Sequence, residues 1–259
     1  MVGVLVTVVF AVFAPLIARY APTATSFGHG LEAPFSPGHL LGTDELGRDV
    51  FSRLVFGSQP TLEVGVLATL LAMLVAVPIG VGSGYFGGAL DMVAMRITDI
   101  LLAFPFLLIA VGLAAIFGPS LQNVILALGI GLVPGTIRIA RGEALALREQ
   151  EFVQAAIVTG VSDFHILWRH LIPNMASPLI VQTTVSIPGA ILGSAALSYL
   201  GLGLQPPAPD WGDMLTSAQT YLYNDPLLAV LPGIAIFLTA LSFNLVGDGL
   251  RDFFDPSLR

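Results

Sequence analysis

The chain has 259 residues, 55% of them hydrophobic and only 10% charged, with a mean hydropathy of +0.87. A soluble domain carries about 25% charged residues, so this composition excludes a water-facing globule and places the chain in a membrane. The net charge of −7 excludes a nucleic-acid partner, and the absence of cysteine excludes disulfides and thiolate metal sites. Lysine is absent too, which excludes a P-loop ATPase, because that loop needs a lysine to reach the phosphates.

Ionisable residues cluster between long uncharged runs at 1–18, 64–90, 100–137, 171–209 and 226–247. About 20 helical residues cross a hydrocarbon core about 30 Å thick. In chain order the expected spans are 1–18, 61–84, 96–117, 121–140, 179–202 and 227–247. The third run is divided at Phe117-Gly118-Pro119-Ser120, a strong breaker, and Phe104-Pro105-Phe106 reads as a simple proline kink inside the third span, with a kink facing the path as the alternative. A cleaved signal peptide competes for 1–18, but that stretch has no charged leading segment. The expected fold is therefore all-α, a polytopic membrane protein with six transmembrane helices in a single domain over 1–259.

Loops 19–60 and 203–226 fall on one side of such a membrane, with both termini and the segment 141–175 on the other. The second side holds Arg96, Arg138, Arg141, Arg148, Arg169, Arg251 and Arg259, against Arg19, Arg48 and Arg53 on the first. Basic residues concentrate in cytoplasmic loops, so both termini are expected in the cytoplasm.

Segment 141–175 is far longer than a turn requires. Residues 143–159 hold no glycine or proline and read as one helix, ending at Gly160, which suits the left-handed geometry of a helix stop. Ser162 reads as the N-cap of a second, short helix carrying Asp163, Phe164, Ile166, Leu167, Trp168 and Leu171, with Pro173 as its stop. An interfacial helix would explain its apolar residues but not the hinge; a two-helix hook suits a groove on a soluble partner.

Glu151-Phe152-Val153-Gln154-Ala155-Ala156, then Gly160 and Ile172-Pro173, resemble the EAA loop of ABC importer permeases. Three residues separate Ala156 from Gly160 and eleven separate Gly160 from Ile172, as in that pattern, although Gln154 stands where the pattern has Glu. Gly42-Thr43-Asp44-Glu45-Leu46-Gly47-Arg48-Asp49, the stretch from Met95 to Pro105, Arg141-Gly142-Glu143 and Leu200-Gly201-Leu202-Gly203 with Trp211-Gly212 are similar to the dipeptide/oligopeptide subfamily, specifically its second (C-type) permease. Members of that family usually begin with a polar, basic tail, which this sequence lacks.

The resemblance implies a type I ABC importer permease fold in a bacterial or archaeal plasma membrane. It implies a non-catalytic subunit with no cofactor of its own, half of a path completed by a homologous second permease. Two ATPase subunits would bind ATP and magnesium and grip the hook through Glu151, Gln154, Ala155, Ala156, Gly160, Ser162, Asp163, Phe164, Ile166, Leu167, Trp168, Ile172 and Pro173. An extracytoplasmic binding protein would deliver cargo, with Asp44, Arg48, Asp210 and Trp211 as candidate contacts on the outer face; local ion pairs and a packed cap are the competing readings there. Peptide is the expected cargo, with a nickel chelate or glutathione as the alternative.

Two other functions compete. An ion-coupled carrier would place Asp, Glu or His within its spans, whereas Glu63, Asp99 and Asp248 lie only at their edges. An intramembrane enzyme would need a base beside a serine such as Ser194 or Ser198, and none lies deep in a span. The four histidines show no metal spacing. Gly80, Gly82, Gly84, Gly87 and Gly88 read as helix-packing surface, or else as pore lining.

Overall fold

A computed structural model describes residues 2–254, so Met1 of the first expected span and Arg259 of the arginine count lie outside the described residues. The described chain is helical, with two isolated β-bridges, Ser36 with His39 and Thr43 with Asp49, in the long loop after the first helix. Four helices are long and apolar enough to cross a membrane, and a bent helix pair makes a fifth candidate.

The first helix, α1 (Val2–Ile17), is apolar and kinks at Phe13, because Pro15 has no N–H to return to the carbonyl of Ala11. That carbonyl instead accepts from Gln59 Nε2 of the next helix at 2.8 Å. The next helix, α2 (Val50–Phe86), runs for 37 residues, about 55 Å, and so overreaches a bilayer core of about 30 Å. Its excess lies at the start, where Asp49 caps it by accepting from Ser52 N at 2.8 Å. Gly87, at φ +65°, ends it.

The expected continuous span over 96–117 is two helices, α3 (Gly88–Leu102) and α4 (Phe106–Phe117), set at 86° to each other. Pro105 supplies the break, but the bend far exceeds a proline kink. Ser120 then caps α5 (Leu121–Arg148) by accepting from Asn123 N at 3.1 Å.

The single helix expected over 143–159 is also divided, since α5 stops at Arg148 and α6 spans Glu151–Val158. Phase explains the break. Ala144, Val153 and Ala156 are buried in one cluster, yet Ala144 and Val153, nine residues apart, would point to opposite faces of a continuous helix at about 100° per residue. Extended backbone at Gln150 (φ −72°, ψ 144°) turns the second face inward.

Pro173 does not stop the short helix either. Asp163–His165 (α7) leads into a wide π turn over Ile166–Leu171 and directly into α8 (Ile172–Asn174), where Pro173 occupies a first-turn position that needs no N–H. A break at Met175 precedes α9 (Ala176–Tyr199), then come α10 (Trp211–Ala218) and α11 (Leu227–Phe254).

The long helix α2 threads three apolar clusters: Val50 joins one with Trp211 and Ile191, Val64 and Ala68 a second with Leu128 and Ala190, and Val81 and Tyr85 a third with Ile166 and Leu171. It packs against α5 through small residues. A Cβ on Gly80 would meet Ala140 Cβ and the Ile137 carbonyl at 2.7 Å, and one on Gly84 would meet the Arg141 carbonyl at 2.8 Å. Gly82 faces open space, while Gly87 and Gly88, both at positive φ, serve the turn.

Candidate functional site

Between α5 and α9 the chain folds into a hook with two unlike faces. Its inner face is core: Val153, Ala156, Ile166, Leu171 and Met175 pack with Val81 and Tyr85 of α2 and Ala140 and Ala144 of α5. Its outer face carries Phe164 and Trp168, 71% and 60% exposed, with ring centroids 6.1 Å apart. Burying a side chain of that size against a partner removes 150–250 Å² of surface from water.

The hinge is built by two hydrogen bonds. Gly160, at φ +77°, donates to Ile157 O at 3.0 Å, and Val161 donates to Ala156 O at 3.1 Å. This is a Schellman stop, completed by Val161 packing on the inner cluster. Ser162 occupies the cap position but makes no side-chain capping bond, which corrects the N-cap expected from sequence; its backbone carbonyl accepts from Ile166 N at 3.0 Å. The side chain that does anchor this turn is Asp163, whose carboxylate accepts from the Tyr85 hydroxyl at 2.7 Å.

Among the other expected hook residues, Glu151, Gln154, Ala155 and Pro173 are exposed, and Ala156 is buried. Gln154 Nε2 donates to the Arg148 carbonyl at 2.8 Å, filling an acceptor that the end of α5 leaves open. An ionised Glu could not make that bond, so the departure from the family pattern gives the elbow an internal cap. Ile166 has 0% exposure and Leu167 is half-buried, so neither is a free plug for a partner groove. Sequence reasoning placed them on the contact face because the π turn, which rotates them inward, has no composition signal. Phe152, which the sequence did not single out, is exposed, with its ring 6.3 Å from that of His170. Leu167, Trp168 and Ile172 also close one end of an open apolar groove of about 810 Å³ running along α2 past Leu74 and Val77.

At the far end of α2 the loop before it and α10 form a cap. Asp44, Arg48, Asp210 and Trp211, expected as contacts for a partner, are each buried and are spent inside the cap. Arg48 Nε donates to Asp44 Oδ2 at 2.6 Å. Trp211 Nε1 donates to the Leu54 carbonyl at 2.9 Å, and its ring lies where a Cβ on Gly57 would stand. The hub is Arg53, a residue the sequence did not single out. It is 1% exposed, its Nε lies 3.5 Å from Asp44 Oδ2 and its Nη2 3.7 Å from Asp213 Oδ2. Burial pushes the Asp210 and Asp213 carboxyls above the ordinary carboxylate range; hydrogen bonds from the Asp213 N–H and the Ser198 hydroxyl partly oppose this at Asp210, and the Arg53 charge partly opposes it at Asp213. His39 Nδ1 lies 2.8 Å from Asp49 Oδ1, and His29 pairs with Glu32. Among the described residues no group of three or more His, Asp or Glu side chains converges for a metal ion.

Residues 76–259 match the family described as "Binding-protein-dependent transport system inner membrane component". The chain is 42% identical to the dipeptide transport system permease protein DppC of Alkalihalophilus pseudofirmus, across 97% of this chain and 83% of that protein. It is equally similar, at 42%, to the probable D,D-dipeptide transport system permease protein DdpC of Escherichia coli K12, over 95% and 82% of the two chains. The glutathione transport system permease protein GsiD of Escherichia coli O1:K1 also matches at 42%, over 99% and 84%. Chains from two inward-facing structures of the MetNI methionine ABC transporter share the fold. Their TM-scores are 0.60 and 0.62 at 21% and 18% identity, covering 76% and 79% of this chain and 96% and 98% of theirs. The hinge at Gly160, the two-faced hook and the helical frame around it thus belong to a multi-pass ABC-transporter permease, a member of the binding-protein-dependent transport system inner membrane component family.

Proposed function

We propose that this chain is the C-type permease of an ATP-driven importer of small peptides, a non-catalytic subunit that receives its power stroke through the hook. The observation that carries the reading is the hook's two faces. Phe164 and Trp168 stand exposed as a ring pair, while Ile166 and Leu171 are buried among α2, α5 and the approach to α9. A partner that grips the exposed aromatics moves a body already fused to the spans. In this reading two ATPase subunits bind ATP and magnesium, a homologous second permease completes the path, and a binding protein delivers cargo on the cap side. The hook and both termini then lie in the cytoplasm of a plasma-membrane protein, and α1, the α3–α4 pair and the four long helices serve as six spans.

The relatives named above are dipeptide, D,D-dipeptide and glutathione permeases, and glutathione is itself a small peptide. That shared chemistry supports a short peptide as cargo.

The test is Gly160→Pro in the assembled transporter. Proline cannot adopt φ +77° and has no N–H for Ile157 O, so the hinge is lost while the spans keep their packing. The expected outcome is normal membrane insertion with ATP hydrolysis uncoupled from peptide uptake. Normal uptake by that variant refutes the lever. Uptake that survives ATP depletion but stops when ion gradients are collapsed would identify an ion-driven carrier instead.

A further inference from the structure

The break between α3 and α4 leaves backbone exposed at a depth where lipid cannot satisfy it. Its depth follows from three neighbours. The helix α4 has 12 residues, about 18 Å from the break to its cap-side end. Phe106 lies against Gly131 of α5, where a Cβ would stand 3.4 Å from the Phe106 carbonyl oxygen. It also lies against Gly193 of α9, where a Cβ would stand 3.5 Å from the Phe106 ring. Gly131 is ten residues from the cap-side start of α5 and Gly193 six from the end of α9, or about 15 Å and 9 Å. The break thus sits about 9–18 Å in from the cap-side helix ends, within the reach of a core about 30 Å thick.

Every residue from Leu101 to Phe106 is exposed. The N–H of Ala103 reaches back to Asp99 O and Ile100 O, and that of Phe104 to Leu101 O. Leu108 and Ile109 return only to Pro105 O, so no backbone or side-chain donor of the described residues reaches the carbonyls of Ala103 and Phe104. Each such group facing hydrocarbon costs several kcal/mol, and irregular backbone persists at membrane depth only where protein buries it or water reaches it.

We infer that the Ala103–Pro105 break faces the water-filled translocation path, where the free carbonyls of Ala103 and Phe104 accept hydrogen bonds from the N–H groups of passing peptide. The placement in the path rests on the geometry; the peptide contact rests on the function proposed above. Acceptors of this kind suit a transporter that passes many peptides, since the backbone N–H is common to all of them whatever their side chains. The adjoining exposed ring of Phe104 restricts the opening without adding a charge that would hold the cargo.

The sequence supplies its own test background, because it contains no cysteine. Leu102→Cys, Ala103→Cys and Phe104→Cys are made singly in the full transporter, and only variants that retain ATP-driven uptake are labelled with a membrane-impermeant methanethiosulfonate. Tyr223→Cys, on the cap-side loop, is the wet reference, and Phe237→Cys, exposed at matching depth on α11, is the lipid reference. A thiol reacts as its thiolate, which forms in water and not in hydrocarbon. The expected result is labelling at Ala103→Cys or Phe104→Cys about tenfold or more faster than at Phe237→Cys, slowed several-fold by saturating dipeptide with ATP. Three break positions as silent as Phe237→Cys in every nucleotide state would overturn the path placement, whatever the uptake assay shows. Labelling that dipeptide leaves unchanged, with dipeptide uptake intact, would overturn the carbonyl contact. Labelling in variants whose ATP-driven uptake is of another cargo and never of peptide would refute the cargo reading and leave the path placement standing.

Discussion

At the cap end of α2, Arg53 lies buried between Asp44 and Asp213, and charge against charge holds the loop and α10 to the helix. At the hook end, Tyr85 sits in an apolar cluster and makes one polar tie, to Asp163. The two ends therefore fail differently. A buried ion cluster tolerates almost no displacement, since moving one partner strands a charge in a poor dielectric, whereas an apolar cluster slides at modest cost until it opens a cavity. The cap hides its charges and the hook shows its aromatics. The exposed surface of the hook carries the rings of Phe164 and Trp168 together with charged side chains such as Glu151 and Arg169.

The sharpest challenge to this contrast is Arg53→Met, which leaves buried Asp213 without its cation while Asp44 keeps only Arg48. Stability measured by denaturant unfolding in detergent should fall by about 3–5 kcal/mol, as for other broken buried pairs. An unchanged midpoint would mean the cap is not held by charge. Next comes the pair Ile166→Ala and Trp168→Ala on opposite faces of the hook. The first should cost about 2–5 kcal/mol of stability from the cavity it leaves. The second should stay within about 0.5 kcal/mol of the parent yet lower ATP-driven uptake. Equal stability losses would erase the distinction between the faces.

Tyr85→Phe removes only the hydroxyl that Asp163 accepts. A hydrogen bond to a charged group contributes about 1.5–3 kcal/mol, and the half-exposed site places the loss at the low end, read as a lowered melting temperature together with less uptake per ATP hydrolysed. Loss of stability with normal coupling would reduce the tie to simple packing. The smallest effect is a pH dependence confined to the cap. Burial raises the Asp210 and Asp213 carboxyls in the fold, so between the ordinary value and the raised one the folded state holds protons that the unfolded state has released. Cap stability should therefore rise as the pH falls through that window, and hydrogen exchange along α10 should show the rise shrinking in Asp210→Asn. A cap that weakens on mild acidification in the parent would contradict the assigned direction.

Much of the frame was legible because it depends on local chemistry. Uncharged stretches marked the long helices, Gly160 marked the hinge, and Asp49 and Ser120 mark helix starts by residue type. The break at Gln150 was not readable, because the nine-residue phase between Ala144 and Val153 demands one only once their common burial is known. The cap resisted sequence reading for a different reason. Arg53 meets Asp44 nearby and Asp213 across 160 positions, and no local pattern announces a partner that far along the chain. The inward turn of Ile166 was hidden because one widened helical turn shifts every following side chain without changing the residues involved.

The kink in α1 has a consequence for how that helix is held. Pro15 leaves the Ala11 carbonyl open inside an apolar helix, and the side chain that closes it, Gln59, belongs to α2. Thr7 likewise meets Thr239 of α11 at 3.1 Å. In the folded chain α1 is thus tied sideways by polar side chains, to α2 through Gln59 and to α11 through Thr239.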